Sequence, residues 1–416
     1  MSKNDKLTIT IIGGGMVGIS LALLLATEDT DWQIVLIESL PFPKSRSFNS
    51  PQLPVFQPGF DSRSTAISAG SLPLLQRIGC WETLQQHATT IKQVQVSDRG
   101  YYAGNVFDAG QLQQEQLGAV IENNWLGKVL FHQLMQRQDK IRCFAPASVT
   151  QLQPVAQGVE VTIEQDGTTQ MYCSDLVIIA DGERSSLGRS LGIEFNTHNY
   201  HQAAVIANVA LSQPQKGVAY EHFTGSGPLA LLPLTDYNHQ HRAALIWTHH
   251  KEQLQTALSW DDQTFIHHLQ REFGYRAGKI IGVGKREGYS LQLMQAKEQV
   301  RSNIVIMGNA AHCLHPVAGQ GFNLSLRDCA VLVDVLTDAY KKGKAIGDYK
   351  VLADYEQRRS LDQQITVGVT HQLVKQFSSH QLPRVLLRQL GLLTLNAMPV
   401  MHRLLAKQLM GQQAYQ

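Results

Sequence analysis

Residues 7–18 read Leu-Thr-Ile-Thr-Ile-Ile-Gly-Gly-Gly-Met-Val-Gly, or LTITIIGGGMVG. The first six are largely β-branched, which favours a strand. The spacing Gly13-x-Gly15-x-x-Gly18 follows at once, and residues 16–26 read as an apolar helix. Residues 33–38, QIVLIE, read as a second strand that ends on Glu38. Strand, glycine turn, helix and strand make a βαβ unit. Its glycines permit a tight turn, close backbone approach to a pyrophosphate and close helix–strand packing, with the helix N-terminus facing the anion. Glu38 stands where a carboxylate can accept hydrogen bonds from ribose hydroxyls. It argues against NADP, because it would repel a 2′-phosphate. From these residues alone, FAD and NAD both remain.

Outward from this unit, the chain has 416 residues, 43% hydrophobic and 17% charged, enough for a large core and two or three structural units. Its 36 Lys+Arg against 34 Asp+Glu leave a net charge of +2 and no basic block, so no nucleic-acid partner is expected. Cys80, Cys143, Cys173, Cys313 and Cys329 are odd in number, widely spaced and without a CxxC pair, which fits a reducing compartment and neither a disulfide framework nor a zinc site. No signal peptide and no spanning apolar run is read, so the expectation is a cytoplasmic protein with membrane contact only from the surface, at the inner membrane.

Residues 40–62 hold five of the 14 prolines and read as a long loop. A helix is expected over 68–87, a strand over 91–97, a helix over 125–136 and several strands over 141–179. Residues 190–286 are strand-rich, with a helix near 261–273. Residues 303–307 form a buried strand, a helix starts near Gly321, and 350–416 are mainly helical. Residues 382–405 combine many apolar side chains with Arg384, Arg388 and Arg403. They fit a helix packed on the core, a partner surface or a membrane-surface contact.

Two further motifs carry chemistry. Asp181-Gly182-Glu183-Arg184-Ser185 follows the strand-like LVIIA directly. Gly308-Asn309-Ala310-Ala311-His312 leads through Cys313-Leu314-His315-Pro316 to Gly319-Gln320-Gly321-Phe322-Asn323. With the first glycine loop, this arrangement resembles the class A, single-component FAD-dependent aromatic hydroxylases of the p-hydroxybenzoate hydroxylase fold, over most of the chain. The stretches PGFDSRSTAIS, QVSDRG, AVIANVAL, GPLALLPL and GNAAHCLHPVAGQGFNL look like the ubiquinone-biosynthesis branch of that family.

The resemblance implies an α/β fold: a Rossmann-like FAD-binding domain (1–89, 119–189 and 287–349), an inserted mixed β-sheet substrate domain (90–118 and 190–286) and a C-terminal helical region (350–416). It implies bound FAD with Gly13, Gly15, Gly18, Glu38, Arg63, Asp181, Gly182, Asn309, Gly319, Gln320, Gly321 and Asn323 at the cofactor, and Pro316, His315 and Arg63 near the reacting end of the flavin. NAD(P)H would be a co-substrate that binds without a second glycine loop. Oxygen would react with reduced flavin to give a C4a-hydroperoxide, which an electron-rich carbon of a polyprenylated phenol attacks. A complex of ubiquinone-biosynthesis proteins and peripheral membrane contact are the implied partners.

The chain departs from the family's pattern in places. The arginine usual seven residues after the aspartate is replaced by Gly188, with Arg189 one later. Asn309 stands where an aspartate usually holds a ribityl hydroxyl, and its amide oxygen can accept the same bond. Asn123 stands where relatives carry arginine or glutamine. His312 and His315, three apart, lack the further ligands of a metal site, and no metal is expected. Residues 227–234 are expected to wall the flavin. Two other readings stay open: a dehydrogenating flavin oxidoreductase of the same fold, and a flavin-binding scaffold protein.

Overall fold

The computed structural model of the chain describes residues 6–42, 63–100, 104–183, 185–377 and 398–412. The glycine loop leaves the strand Thr8–Ile12, at the centre of a sheet ordered Val300–Arg301, Ile304–Ile306, Leu176–Ile179, Thr8–Ile12, Gln33–Ile37, Ile141–Phe144. Neighbours run parallel, except the first pair. Side chains alternate between two cores, as the period of a strand requires. Ile9, Ile11, Ile34, Leu36, Leu176 and Ile178 pack with the helices Met16–Thr27, Asn123–Met135 and Gln320–Lys341. Ile12, Val35, Ile37, Val177 and Ile179 pack with an antiparallel sheet of Ser148–Val155, Gly158–Gln165 and Thr168–Ser174. Each such side chain contributes about 1.5–3 kcal/mol by leaving water. The result is the expected α/β architecture, in three layers.

The second large sheet is mixed, as expected. Its order is His312–Cys313, Glu287–Ala296, Phe195–Leu211, Gln240–His250, Gly227–Tyr237, Val218–Thr224, Gln93–Asp98, Gly104–Asp108. Val218–Thr224 and Gln93–Asp98 are parallel. One face carries the helix Asp262–Phe273 through Phe265, Leu269 and Phe273. Asp261 caps that helix, its Oδ1 accepting from the Thr264 amide at 2.7 Å. A small sheet joins the two large ones, with Ser64–Ser68 and Ala88–Ile91 flanking Gly118–Glu122. At its end Glu122 pairs with Arg242 of the large sheet at 3.0 Å.

Two expectations need correction. The helix over 68–87 is broken into Leu72–Arg77 and Trp81–Leu84, flanked by single 3-10 turns. Gly79 takes φ of 75° after the first piece, and the Gly79 and Cys80 amides bond to the Gln76 and Leu75 carbonyls, which closes the helix end. Apolar periodicity continued through this stop and hid it. Second, Glu287–Ala296 pairs with Phe195–Leu211, so the mixed sheet extends past residue 286. The C-terminal region is helical over Tyr349–Phe377 and Pro399–Leu409, as expected; most of the 40–62 loop and most of the 382–405 stretch lie outside the described residues. Among the described residues no helix is long and apolar enough to cross a membrane.

Candidate active site

The three motifs meet around one cavity of about 1440 Å³. The strand ends place them there. Thr8–Ile12 delivers the glycine loop, Gln33–Ile37 delivers Glu38, Leu176–Ile179 delivers Asp181 and Gly182, and Ile304–Ile306 delivers the Gly308–Ala310 turn. Ligands of open α/β sheets bind at this edge, outside the carboxyl ends of parallel strands.

The glycine loop divides its work by position. Gly13 has φ of 109°, and a Cβ there would collide with the Ala180 carbonyl; a Cβ on Gly18 would collide with the Gly13 carbonyl. Both are needed for the fold. A Cβ on Gly15 would meet nothing within 4 Å, and the residue lines the cavity. The helix Met16–Thr27 has no capping side chain and no acidic residue in its first turn. Its first amides are therefore left for an anion. Glu38 is buried, its Oε2 accepting from the Gly14 amide at 2.6 Å and its Oε1 from the Leu40 amide at 2.9 Å. Those bonds fix the carboxylate at the cavity wall. Asp181 lines the same wall, where the surrounding atoms desolvate its carboxyl and push it up to about 6, and the Glu38 charge adds to the shift.

At the other end, Gly319 precedes the helix Gln320–Lys341, which again has no side-chain cap and no acid in its first turn. Gly182 and Gly321, like Gly15, have open space where a Cβ would stand. Asn309 and Pro316 line the cavity, as does Arg63, whose guanidinium lies 4.7 Å from the Tyr289 ring centre. Two uncapped helix ends, three glycines open to the cavity and a held carboxylate at a strand end fit FAD.

Some residues do other work than the sequence suggested. Asn323 is buried, and its amide clamps the strand Ser64–Ser68: Oδ1 accepts from the Ser68 amide at 2.8 Å, and Nδ2 donates to the Ala66 and Gly319 carbonyls at 2.7 and 2.8 Å. Its side chain thereby shapes the turn. Gln320 donates to the Leu409 carbonyl at 3.1 Å, so it ties the turn to the last helix. Asn123 is buried with Oδ1 accepting from Thr65 at 2.6 Å. Arg189 is exposed over the Phe195 ring, outside the cavity lining.

The two histidines part company. His312 Nε2 hydrogen-bonds to Asp328 Oδ2 at 2.8 Å in a buried network. Asp328 also accepts from Arg359 at 2.6 Å and Gln363 at 3.0 Å, while Asp362 accepts from Arg359 at 2.6 Å and Arg327 at 2.8 Å. Burial alone would raise the Asp328 pKa, but the Arg359 charge and the His312 hydrogen bond hold it well below the usual carboxylate range. His315 lines the cavity, with neither ring nitrogen hydrogen-bonded and the Tyr200 ring edge-on at 5.5 Å. Burial pushes its pKa down to about 3, so the imidazole is neutral near pH 7. Among the described residues no group of three His, Cys, Asp or Glu gathers as metal ligands do.

Beyond the turn, the mixed sheet provides an apolar wall. Val94, Val96, Phe107, Ala219, Phe223, Ala230, Leu232, Ala244 and Ile246 face the cavity, so the 227–234 stretch does line it. Leu373, Met401, Leu405 and Leu409 of the C-terminal helices continue the lining. Sequence reading missed Glu221, a carboxyl set in this wall, although the alternation Ala219, Glu221, Phe223 could have exposed it.

A family model described as "FAD binding domain" matches residues 6–368. The chain is 33% identical to ubiquinone hydroxylase UbiL of Rhodospirillum rubrum, over 98% of this chain and 90% of that protein. It is 29% identical to 3-demethoxyubiquinol 3-hydroxylase of Escherichia coli, over 98% of this chain and 99% of that one. The crystal structure of p-nitrophenol 4-monooxygenase PnpA from Pseudomonas putida superposes with a TM-score of 0.75 at 16% identity, covering 97% of this chain and 98% of that one. These likenesses and the cavity's fit to the cofactor lead to one conclusion: the chain belongs to the FAD binding domain family, as an FAD-dependent aromatic monooxygenase.

Proposed function

We propose that the chain hydroxylates the ring of a polyprenylated phenol in ubiquinone biosynthesis, with NAD(P)H and O2 as co-substrates and 2-polyprenyl-6-methoxyphenol as the ring. The observation that carries this is the continuity of the cavity. It runs without a break from the glycine loop, past Pro316, along an apolar sheet wall to Met401 and Leu409. A ring at the flavin end and an isoprenoid tail at the other would share it. The named hydroxylases of ubiquinone and demethoxyubiquinol add support.

Bound FAD supplies the redox chemistry and the activation of oxygen. This chain's residues do the rest. The Met16 helix end with Gly13 and Gly15 would hold the pyrophosphate, Gly18 would keep the helix packed close to the loop, and Glu38 would accept from ribose. Asp181, Gly182 and Asn309 would hold the middle of the cofactor, with Arg63 beside it. The amides at Gly319 to Gly321 would hold the flavin ring, where the positive helix end would favour negative charge. Pro316 and neutral His315 border the reacting edge. The apolar wall orients the phenol and excludes water. Delivery from a bilayer, directly or through a complex of pathway proteins, accounts for the tail-bearing substrate.

The test uses purified FAD-loaded protein, NADH or NADPH, labelled oxygen and polyprenyl phenols that differ in ring pattern. One labelled atom per product, with phenol-stimulated NAD(P)H oxidation, is expected. Oxidation without label points to a dehydrogenase and overturns the proposal. A label delivered only to a different ring in the series identifies a sister hydroxylase.

A further inference from the structure

Resting on the reading just given, we infer that Glu221 is the catalytic base for the phenol, receiving the ring hydroxyl in the cavity and taking its proton as the ring carbon attacks. Glu221 lies on Val218–Thr224, where Ala219 and Phe223 share its face. Its cross-strand partners are Val96 and Ala230, and both also line the cavity. A carboxyl is thus framed on four sides by apolar side chains, in the wall of the room that takes an aromatic ring. Its Oε1 is buried without a hydrogen-bond partner. An orphaned carboxyl oxygen costs stability unless something occupies it.

The position suits the chemistry. Leu373 of the helix Tyr349–Phe377 packs on Phe223, and the same helix touches the turn Val317–Gly319. One element therefore backs both the Glu221 wall and the flavin-facing turn.

Charged groups on the packed elements look elsewhere. Tyr220 and His222 turn to Phe273. Asp98 pairs beside Phe223 at the strand end. His371 bonds Tyr200, His402 bonds Asn105, and Lys375, Arg403 and Lys407 are exposed. Burial is the only cause that shifts the Glu221 carboxyl, up to about 8. A base of that strength at working pH is close to the optimum for accepting a weakly acidic proton.

The step balances. The phenolic O–H bond breaks and its proton goes to the Glu221 carboxylate. The electron pair released into the ring forms the new C–O bond to activated dioxygen, whose second oxygen leaves as water, with both electrons from NAD(P)H. The ring then loses its carbon-bound hydrogen to solvent, and Glu221 returns its proton to the original oxygen.

Two variants test this in the FAD-loaded enzyme with a farnesyl-tailed methoxyphenol and its methyl ether. Wild-type product formation should rise from neutral to alkaline pH. Glu221→Gln keeps the shape and a hydrogen bond but cannot take a proton. It should keep bound FAD and phenol-stimulated NAD(P)H oxidation, lose coupled product by about 100-fold, and flatten the pH profile. By calorimetry, the wild type should favour the phenol over the ether by at least about tenfold, and Glu221→Leu should erase the preference. A Glu221→Gln enzyme with wild-type product yield and pH profile, or a Glu221→Leu enzyme that still distinguishes phenol from ether, overturns the inference. A wild type that hydroxylates no phenol at all overturns the proposed function instead.

Discussion

Asp328→Asn probes the buried network behind the flavin turn. In the folded chain two guanidinium groups, Arg327 and Arg359, face two carboxylates, Asp328 and Asp362. Both arginines are almost fully buried. Neutralising Asp328 leaves one excess positive charge there, and the shared Asp362 cannot serve both partners fully. Removing one member of a buried pair costs about 3–5 kcal/mol, mostly from the stranded partner. The double variant Asp328→Asn/Arg359→Met restores neutrality, so it should lose less than the single. Urea unfolding of the FAD-free protein, followed by tryptophan fluorescence, measures both. The sign with pH is also defined. A carboxyl held below its ordinary range stabilises the fold above that range, and the contribution is lost as pH falls through the folded value. Wild type should therefore weaken steeply below about pH 4, and Asp328→Asn should weaken less. A single-variant loss under about 1 kcal/mol, or a double variant as costly as its two singles combined, would refute the charge-balance argument.

Three further outcomes follow from the same geometry. Gly15→Ala should keep the unfolding midpoint and weaken FAD binding, seen by cofactor titration, because its Cβ points into open space. Gly18→Ala should instead destabilise the protein by about 1–3 kcal/mol in the same urea assay, because its Cβ meets the Gly13 carbonyl. His315→Leu should raise FAD-free stability by about 1–2 kcal/mol, since it removes two buried unpaired nitrogens, while product formation falls. His315, with its pKa held near 3, costs the wild type stability as pH falls below about 6.5, where the unfolded chain takes up a proton and the folded one does not. The variant should show a shallower fall in that window, and an unchanged slope would remove His315 as its source.

Local signals carried far in this chain. The run LTITII, the three glycines and Glu38 act within one βαβ unit, so their spacing determines their geometry. The Asp181-Gly182 and Gly308–Asn323 motifs follow strands of the same sheet, and its parallel order brings them together. What escaped the sequence depends on pairing across long separations. Nothing near Asn323 announces that its amide is spent on Ser68, 255 residues away. Asp328 and Arg359 are ordinary helix residues until two helices are laid side by side. Glu221 lies in a strand whose neighbours include Gln93–Asp98, more than a hundred residues earlier. Gly79 was visible, but a helical stop inside a continuous apolar pattern is overruled only by the backbone conformation.

The last helix, Pro399–Leu409, is attached in an unusual way for an element that lines a binding cavity. Its end is tied down by backbone carbonyls: Leu409 accepts from Gln320, and Met410 accepts from the Gly70 amide at 2.9 Å. A carbonyl is the same whatever side chain its residue bears. Those two bonds survive any exchange at Met401, which is exposed and outside the packed cluster, whereas Leu405 and Leu409 also pack the helix onto the protein. Methionine's flexible thioether already gives the lining some tolerance of shape. A designer wishing to fit a shorter or longer tail would therefore begin with Met401, where the lining can change without disturbing the helix's packing.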